Sequence, residues 1–248
     1  MPFDLANTYS HSHLIVQPAD LALNPPESYL FIQDGLIISC GVLYALCYLF
    51  YMTRTVKDKT VAGGIEYLAG TMAYEIYYAF VTTSTRFELA CFLVWFAMDV
   101  AFVTTALLAA YPQRRRAIII RRMVIGLVAG VGFLHWLCKM YPDEREQVTA
   151  YWTGWLLQLP ISWSGLILLV RREDTKGQSL EIWITRFLGC LTAYGVFLWR
   201  YLNVPENWAY VGSVSSTALI GLTLLPETIY PFVYIWAHQM ERRKDKTA

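Results

Sequence analysis

Seven apolar stretches, near residues 35–53, 61–81, 88–110, 118–138, 148–170, 182–202 and 208–236, occupy most of this 248-residue chain. A helix that crosses a bilayer needs about 20 mostly apolar residues, and hydrocarbon forces a crossing backbone to satisfy its own hydrogen bonds. The pattern therefore predicts an all-α integral membrane protein, a single seven-helix transmembrane bundle. Composition agrees: 56% of residues are hydrophobic and 16% charged, against about a quarter charged in soluble domains. The fourth stretch has the least certain start, because Arg121 and Arg122 fall either inside it or just before it.

Basic residues set the orientation. Arg54, Lys57 and Lys59 follow the first stretch, Arg114, Arg115, Arg116, Arg121 and Arg122 the third, Arg171, Arg172 and Lys176 the fifth, and Arg242, Arg243, Lys244 and Lys246 the seventh. With seven crossings these fifteen of twenty basic residues fall on one side, leaving Arg86, Lys139 and Arg145 opposite and Arg186 and Arg200 within the sixth stretch. The positive-inside rule then puts the N-terminus outside or in the lumen and the C-terminus in the cytosol. The expected organisation is a lumenal segment over 1–32, a membrane domain over 33–238 and a basic cytosolic tail over 239–248. Residues 1–32 contain no Lys or Arg and are broken by Pro18, Pro25 and Pro26, so the first span is expected to act as an uncleaved anchor. Short connections predict that helices adjacent in sequence pack side by side. The five cysteines all fall in apolar stretches and are expected to be free thiols. A net charge of +1 gives no reason to expect nucleic acid as a partner.

An ionisable side chain at bilayer depth costs about 2.5–3.5 kcal/mol on insertion scales, so each one is a functional candidate. The candidates are Glu66, Glu75, Asp99, His135, Arg186, Arg200 and Glu227. Glu66 and Arg186 stand near span ends and read as interfacial. Arg200 either snorkels to the lumenal interface or pairs with Glu206. Asp99 either completes a polar cavity or bonds a neighbouring helix, and a lone His135 reads as structural. Glu75 and Glu227 differ, having apolar or aromatic neighbours on both sides and no basic residue within a helical turn. Burial there favours the neutral acid, the form a general acid requires. Each also shares a helical face with hydroxyl groups: Glu75 with Thr71, Tyr78 and Thr82, and Glu227 with Thr223, Tyr230 and Tyr234. Pro226 and Pro231 flank Glu227 and free backbone carbonyls that must find other partners or line a cavity.

Aromatic residues make up 15% of the chain. Some belong to interfacial belts, but Tyr74, Tyr78, Trp95, Trp155, Trp163 and Tyr230 lie inside spans, where they either pack helices or form a cage able to stabilise a cation. The sequence has no Asp-rich DDxxD or DxDD run, no histidine cluster with metal spacing, no GxSxG and no P-loop, and no metal or other cofactor is expected. The seventh span has no Lys, which excludes a retinal Schiff base there.

The segment Ala73-Tyr74-Glu75-Ile76-Tyr77-Tyr78 resembles the WE-x-x-Y element in span two of the fungal membrane-bound terpene cyclases of the pyripyropene and paxilline type, which act on meroterpenoids and indole diterpenes. Thr185-Arg186-Phe187-Leu188-Gly189, with Trp199-Arg200-Tyr201 and Pro205-Glu206, is similar to the family's span six, and Pro226-Glu227-Thr228-Ile229-Tyr230 stands where the family carries its second acid. Tyr74 replaces the family's Trp and Glu227 its Asp. The resemblance spans roughly residues 30–240.

What the resemblance implies is a non-metal cyclase in the endoplasmic reticulum that protonates a terminal epoxide or olefin of a lipophilic prenylated substrate and closes rings through carbocations. Its catalytic acids would be Glu75 and Glu227, converging in a lipid-accessible cavity, with Tyr74, Tyr78, Asp99, Trp163, Arg200 and Tyr230 binding substrate. Membrane lipids, and an upstream epoxidase and prenyltransferase in the same membrane, are the partners implied. The alternative is a proton-coupled transporter of a small solute, which predicts three-plus-three pseudo-symmetry around a central aqueous path.

Overall fold

The computed structural model describes residues 13–83, 85–142 and 147–247. Seven long helices occur among them: α1 (Ser28–Asp58), α2 (Leu68–Val81), α3 (Arg86–Ala109), α4 (Gln113–Met140), α5 (Gln147–Arg172), α6 (Leu180–Asn203) and α7 (Val214–Thr247). There is no strand among the described residues. All but α2 are long and apolar enough to cross a membrane, so six helices meet that criterion where seven spans were expected. α2 has 14 residues, about 21 Å of rise against a hydrocarbon core of about 30 Å. The apolar run from 61 is interrupted before α2 begins: Gly63 takes φ 143°, open only to glycine, and Ile65–Tyr67 form a single 3₁₀ turn. Arg121 and Arg122 lie inside α4, and the basic tail continues α7 as helix to Thr247.

Packing follows side-chain size more than chain order. α1 lies chiefly along α6 and also meets α3; α2 packs on α3 and α5; α7 packs on α5 and α6. These contacts close a ring in the order α1, α3, α2, α5, α7, α6. α4 stands outside it, against α2. The expectation that sequence neighbours pair therefore holds among the described residues only for α2 with α3 and α6 with α7; α3–α4, α4–α5 and α5–α6 do not pack along one another, and α1 lies chiefly on α6. Gly189 admits the Tyr44 ring there, with 3.0 Å between that ring and the place a Cβ would occupy. α4 reaches α2 through small residues: a Cβ on Gly130 would lie 2.6 Å from Cβ of Ala73, and one on Gly126 would lie 3.0 Å from Cβ of Ala69. Such stripes let membrane helices approach closely. The outer face of α4 exposes Ile125, Val128, Phe133 and Trp136, as a lipid-facing helix should.

The segments grouped by positive charge do meet at one end of the bundle. Arg54 pairs with Asp58 at 3.0 Å, the Gly177 amide donates to Asp58 at 2.8 Å, Glu241 accepts from the Thr175 amide, and Lys244 pairs with Glu173. Gly177 has φ 77°, and a Cβ there would meet the Thr60 carbonyl at 2.9 Å. At the opposite end residues 13–22 fold onto the bundle. Asp20, fully buried, accepts from Tyr29 (2.9 Å), Asn207 (2.8 Å) and Trp208 (3.0 Å). Arg200 belongs to this cluster. It is buried, its Nε donates to Gln33 at 2.8 Å, and its guanidinium stacks 4.7 Å from the Trp208 ring. Its described partners are Gln33 and the Trp208 ring rather than Glu206, and together they replace its hydration. Arg145 lies outside the described residues.

Candidate active site

The ring encloses a cavity of about 380 Å³, lined by α1, α2, α3, α5, α6 and the segment 61–67, within the range of about 300–1,000 Å³ typical of small-molecule sites. It is elongated: lining residues on α5 run from Ala150 to Ser164, about 21 Å at 1.5 Å per residue. The wall is mainly aromatic and aliphatic. Tyr44, Tyr48, Tyr74, Phe92, Trp95 and Trp155 contribute rings, and Trp95 stands edge-on to Tyr44 with centroids 6.3 Å apart. The α1 side is a stripe of Cys40, Tyr44, Cys47, Tyr48 and Tyr51, spaced at three and four residues as one helical face requires.

Two ionisable groups of opposite sign, Glu75 and Arg186, reach this wall. Glu75, on the second turn of α2, is buried and meets Asp99 of α3 carboxyl to carboxyl. Asp99 is fully buried and accepts the hydroxyl hydrogens of Tyr48, and of Thr71 at 2.6 Å. Thr71 lies one turn before Glu75 on the same face, so the polar stripe of α2 supports the acid as its spacing indicates. Oε2 of Glu75 is buried yet has no hydrogen-bond partner among the described residues.

Glu227 sits elsewhere and has a different partner. It is fully buried on α7 and outside the cavity wall, and both its oxygens accept from Arg186: Nε to Oε1 at 2.8 Å and Nη2 to Oε2 at 2.9 Å. Nη1 of Arg186 donates to the Tyr51 hydroxyl, and the Tyr230 ring covers the guanidinium at 5.4 Å. Thus Glu75 and Glu227 do not stand side by side. Arg186 is 2% exposed, its charge matched by Glu227 inside the bundle.

The carbonyls freed by the α7 prolines have definite partners. Pro226 cannot donate to the Leu222 carbonyl, which accepts instead from the Trp163 indole at 3.0 Å; Pro231 cannot donate to that of Glu227, which accepts from the Trp183 indole at 2.7 Å. Trp163 is therefore a helix-packing residue outside the cavity wall. Tyr78 bonds Thr153 at 3.3 Å and Tyr230 bonds Gln178 at 2.8 Å, both also outside the wall, whereas Tyr74 lines it and donates to the Ala150 carbonyl at 3.2 Å. His135 stands edge-on to Tyr77 at 6.2 Å, and Glu66 meets Arg122 at 3.6 Å on the surface. Tyr48 and Tyr51 were not singled out from the sequence, although their stripe on α1 is legible there.

An all-helical membrane bundle around a mainly apolar, aromatic cavity with one carboxyl, Glu75, on its wall belongs to the class of membrane proteins that receive apolar small molecules. Residues 19–240 match the family of Pyr4-like transmembrane terpene cyclases, and the chain belongs to that family; it is a membrane-bound terpene cyclase. It is 28% identical over 242 residues to the Pyr4-family terpene cyclase mfmH of Annulohypoxylon moriforme, covering 96% of this chain and 100% of the relative. It is 26% identical to the terpene cyclase macJ of Penicillium terrestre, covering 90% and 89%, and 26% identical to the terpene cyclase ascF of Acremonium egyptiacum, covering 82% and 80%. No solved structure matches the chain.

Proposed function

We propose that the chain cyclises a prenylated lipophile by acid initiation, with Glu75 as the proton donor. The observation that carries this reading is the Glu75–Asp99 carboxyl contact, with Glu75 on the cavity wall. Two carboxyls in contact cannot both be charged at low cost away from water, so the pair holds a proton. The hydroxyls of Tyr48 and Thr71 donate to Asp99 and stabilise it as the charged member. That leaves the proton on Glu75, the member that reaches the cavity.

With a terminal epoxide at the Glu75 carboxyl, transfer of that proton to the epoxide oxygen breaks the C–O bond. The products are a hydroxyl group and a tertiary carbocation, which neighbouring double bonds then attack to close rings. Loss of a proton at the end balances the one supplied, so the overall reaction is an isomerisation. The carbocations travel between the rings of Tyr74, Trp95 and Trp155, whose faces carry negative quadrupole charge. The basic loops at one end support a cytosolic C-terminus, α2 completing the seven helices as a short segment within the ring, and the endoplasmic reticulum is the membrane proposed. Upstream prenylation and epoxidation would supply the substrate there.

The test is cyclisation of an epoxyfarnesyl arene by microsomes carrying the wild-type chain or Glu75→Gln at equal expression. Removing a general acid is expected to lower kcat by about 10²–10⁴. An unchanged kcat for Glu75→Gln overturns the assignment.

A further inference from the structure

Among the described residues the cavity wall carries one cationic group, Arg186, and the mechanism above gives it no role. Its fixation is unusual for a side chain in a prenyl-binding cavity. Three of the five guanidinium N–H donors are used, two on the Glu227 carboxylate and one on the Tyr51 hydroxyl, so one hydrogen on each Nη remains. Glu227 lies behind the guanidinium, on α7, the helix of the ring that contributes nothing to the wall. Arg186 therefore presents its remaining donors from a plane set by a bidentate grip. The ion pair is neutral as a unit. Without a surplus positive charge it suits an uncharged acceptor better than a diphosphate, whose charge would go uncompensated beside Glu75.

Arg186 and Glu75 also share a scaffold. Tyr51 binds Arg186 and Tyr48 binds the Asp99 that meets Glu75, and these two tyrosines are three residues apart on one face of α1. The acid and the guanidinium are thus held in a fixed relation across a mainly apolar wall, whose other polar side chains, among them Thr71, Gln158 and Ser164, carry no charge.

We propose that Arg186 is an oxygen-binding residue: it receives a neutral acceptor, a carbonyl or phenolic oxygen, on the non-prenyl end of the substrate, while Glu227 is a positioning residue that acts through it. This rests on the cyclase reading above and adds to it a second polar contact point, which fixes how the chain lies relative to Glu75.

The experiment measures binding without turnover. The full chain in lipid nanodiscs is titrated with 4-farnesylphenol and with farnesylbenzene, neither of which carries an epoxide, and binding is followed by tryptophan fluorescence. The wild type is expected to bind the phenol at least tenfold more tightly. The double variant Arg186→Gln/Glu227→Gln removes both charges together, so no lone buried ion remains; it is expected to bind the two probes within about twofold of each other. Glu75→Gln should keep the tenfold preference. Equal binding of both probes by the wild type overturns the proposal, and needs no variant to do so. Persistence of the preference in the double variant overturns it as well. Its failure is distinguishable from failure of the acid assignment, which appears only as retained turnover of an epoxide substrate by Glu75→Gln.

Discussion

Replacing Trp183 by Phe tests how α7 tolerates Pro231. The Glu227 carbonyl, in a residue with no exposed surface, accepts from the Trp183 indole at 2.7 Å because Pro231 has no N–H to offer it. Phe retains a ring in place of the indole, which stacks on Phe187 at 5.9 Å and Tyr230 at 6.4 Å, but cannot donate. The unsatisfied carbonyl then costs about 1–3 kcal/mol, and the smaller ring about another 1 kcal/mol in lost packing. In the Pro231→Ala background the backbone N–H of position 231 becomes available to the same carbonyl, so the cost of Trp183→Phe should fall to the packing part, about 1 kcal/mol. The double-mutant cycle therefore has an expected coupling of about 1–3 kcal/mol. Unfolding by SDS in mixed micelles, on four proteins purified identically, gives the four stabilities. A Trp183→Phe cost that agrees within about 0.5 kcal/mol in the two backgrounds would refute the pairing of indole with proline-freed carbonyl.

Trp163→Phe with Pro226→Ala should show the same coupling at the Leu222 carbonyl, and an additive result in the same unfolding assay would count against it. Asp99→Asn removes the charged member of the carboxyl pair while keeping its volume; kcat on an epoxide substrate should fall by at least about tenfold with thermal stability close to wild type, and full activity would show that Glu75 needs no such partner. Gly130→Val sets a branched side chain where a single Cβ already falls 2.6 Å from Ala73. It should destabilise the bundle by about 1–3 kcal/mol and lower kcat by moving the Ala73–Glu75 turn, whereas Gly132→Val, at a glycine with nothing within 4 Å, should change neither. Glu227→Gln alone leaves the Arg186 charge buried without its counter-ion and should lower stability by about 3–5 kcal/mol, more than the double variant with Arg186→Gln; the reverse order of melting temperatures would contradict the ion-pair geometry.

What the sequence could deliver depended on range. Apolar run length and basic clustering are local properties, and they located the six helices long enough to cross a membrane and the shorter α2, and grouped the segments that meet at one end. The shortness of α2 was also local, visible at Gly63-Gly64, but a window of hydropathy averages over such a break. Glu75 stood out because its own neighbours lack a compensating charge, and its helical face named Thr71 as an ally. The partners of Glu227 and Arg200 are non-local. Arg186 precedes Glu227 by 41 positions and Gln33 precedes Arg200 by 167, and only packing brings each pair together. One signal did exist for the first of these: opposite charges in two adjacent spans, each expensive alone, are expected to pair. The tyrosine stripe of α1 was equally legible and lacked only an ionisable residue to draw attention to it.

The two glutamates that look alike along the chain are separated by what lies within reach of each. A carboxyl held bidentate by a buried guanidinium is committed: moving its proton or its charge would strand Arg186 in a medium with little water to solvate it. Glu227 is therefore poorly placed to give up and recover a proton in each turnover, and well placed to hold a cation still. Glu75 has the opposite surroundings, another carboxyl backed by two hydroxyl groups and no cation among its described contacts, so giving up its proton strands no buried guanidinium, and the carbocation formed offsets the new negative charge. On the reading proposed above, the bundle keeps its mobile proton and its fixed charge on different helices, and Tyr48 and Tyr51 of α1 join the two arrangements. A change at either tyrosine should thus be felt at one polar site and not the other: Tyr48→Phe in kcat, through Asp99, and Tyr51→Phe in the preference for an oxygen-bearing probe, through Arg186. If both substitutions depress kcat alike and leave probe preference intact, this division between the two sites is wrong.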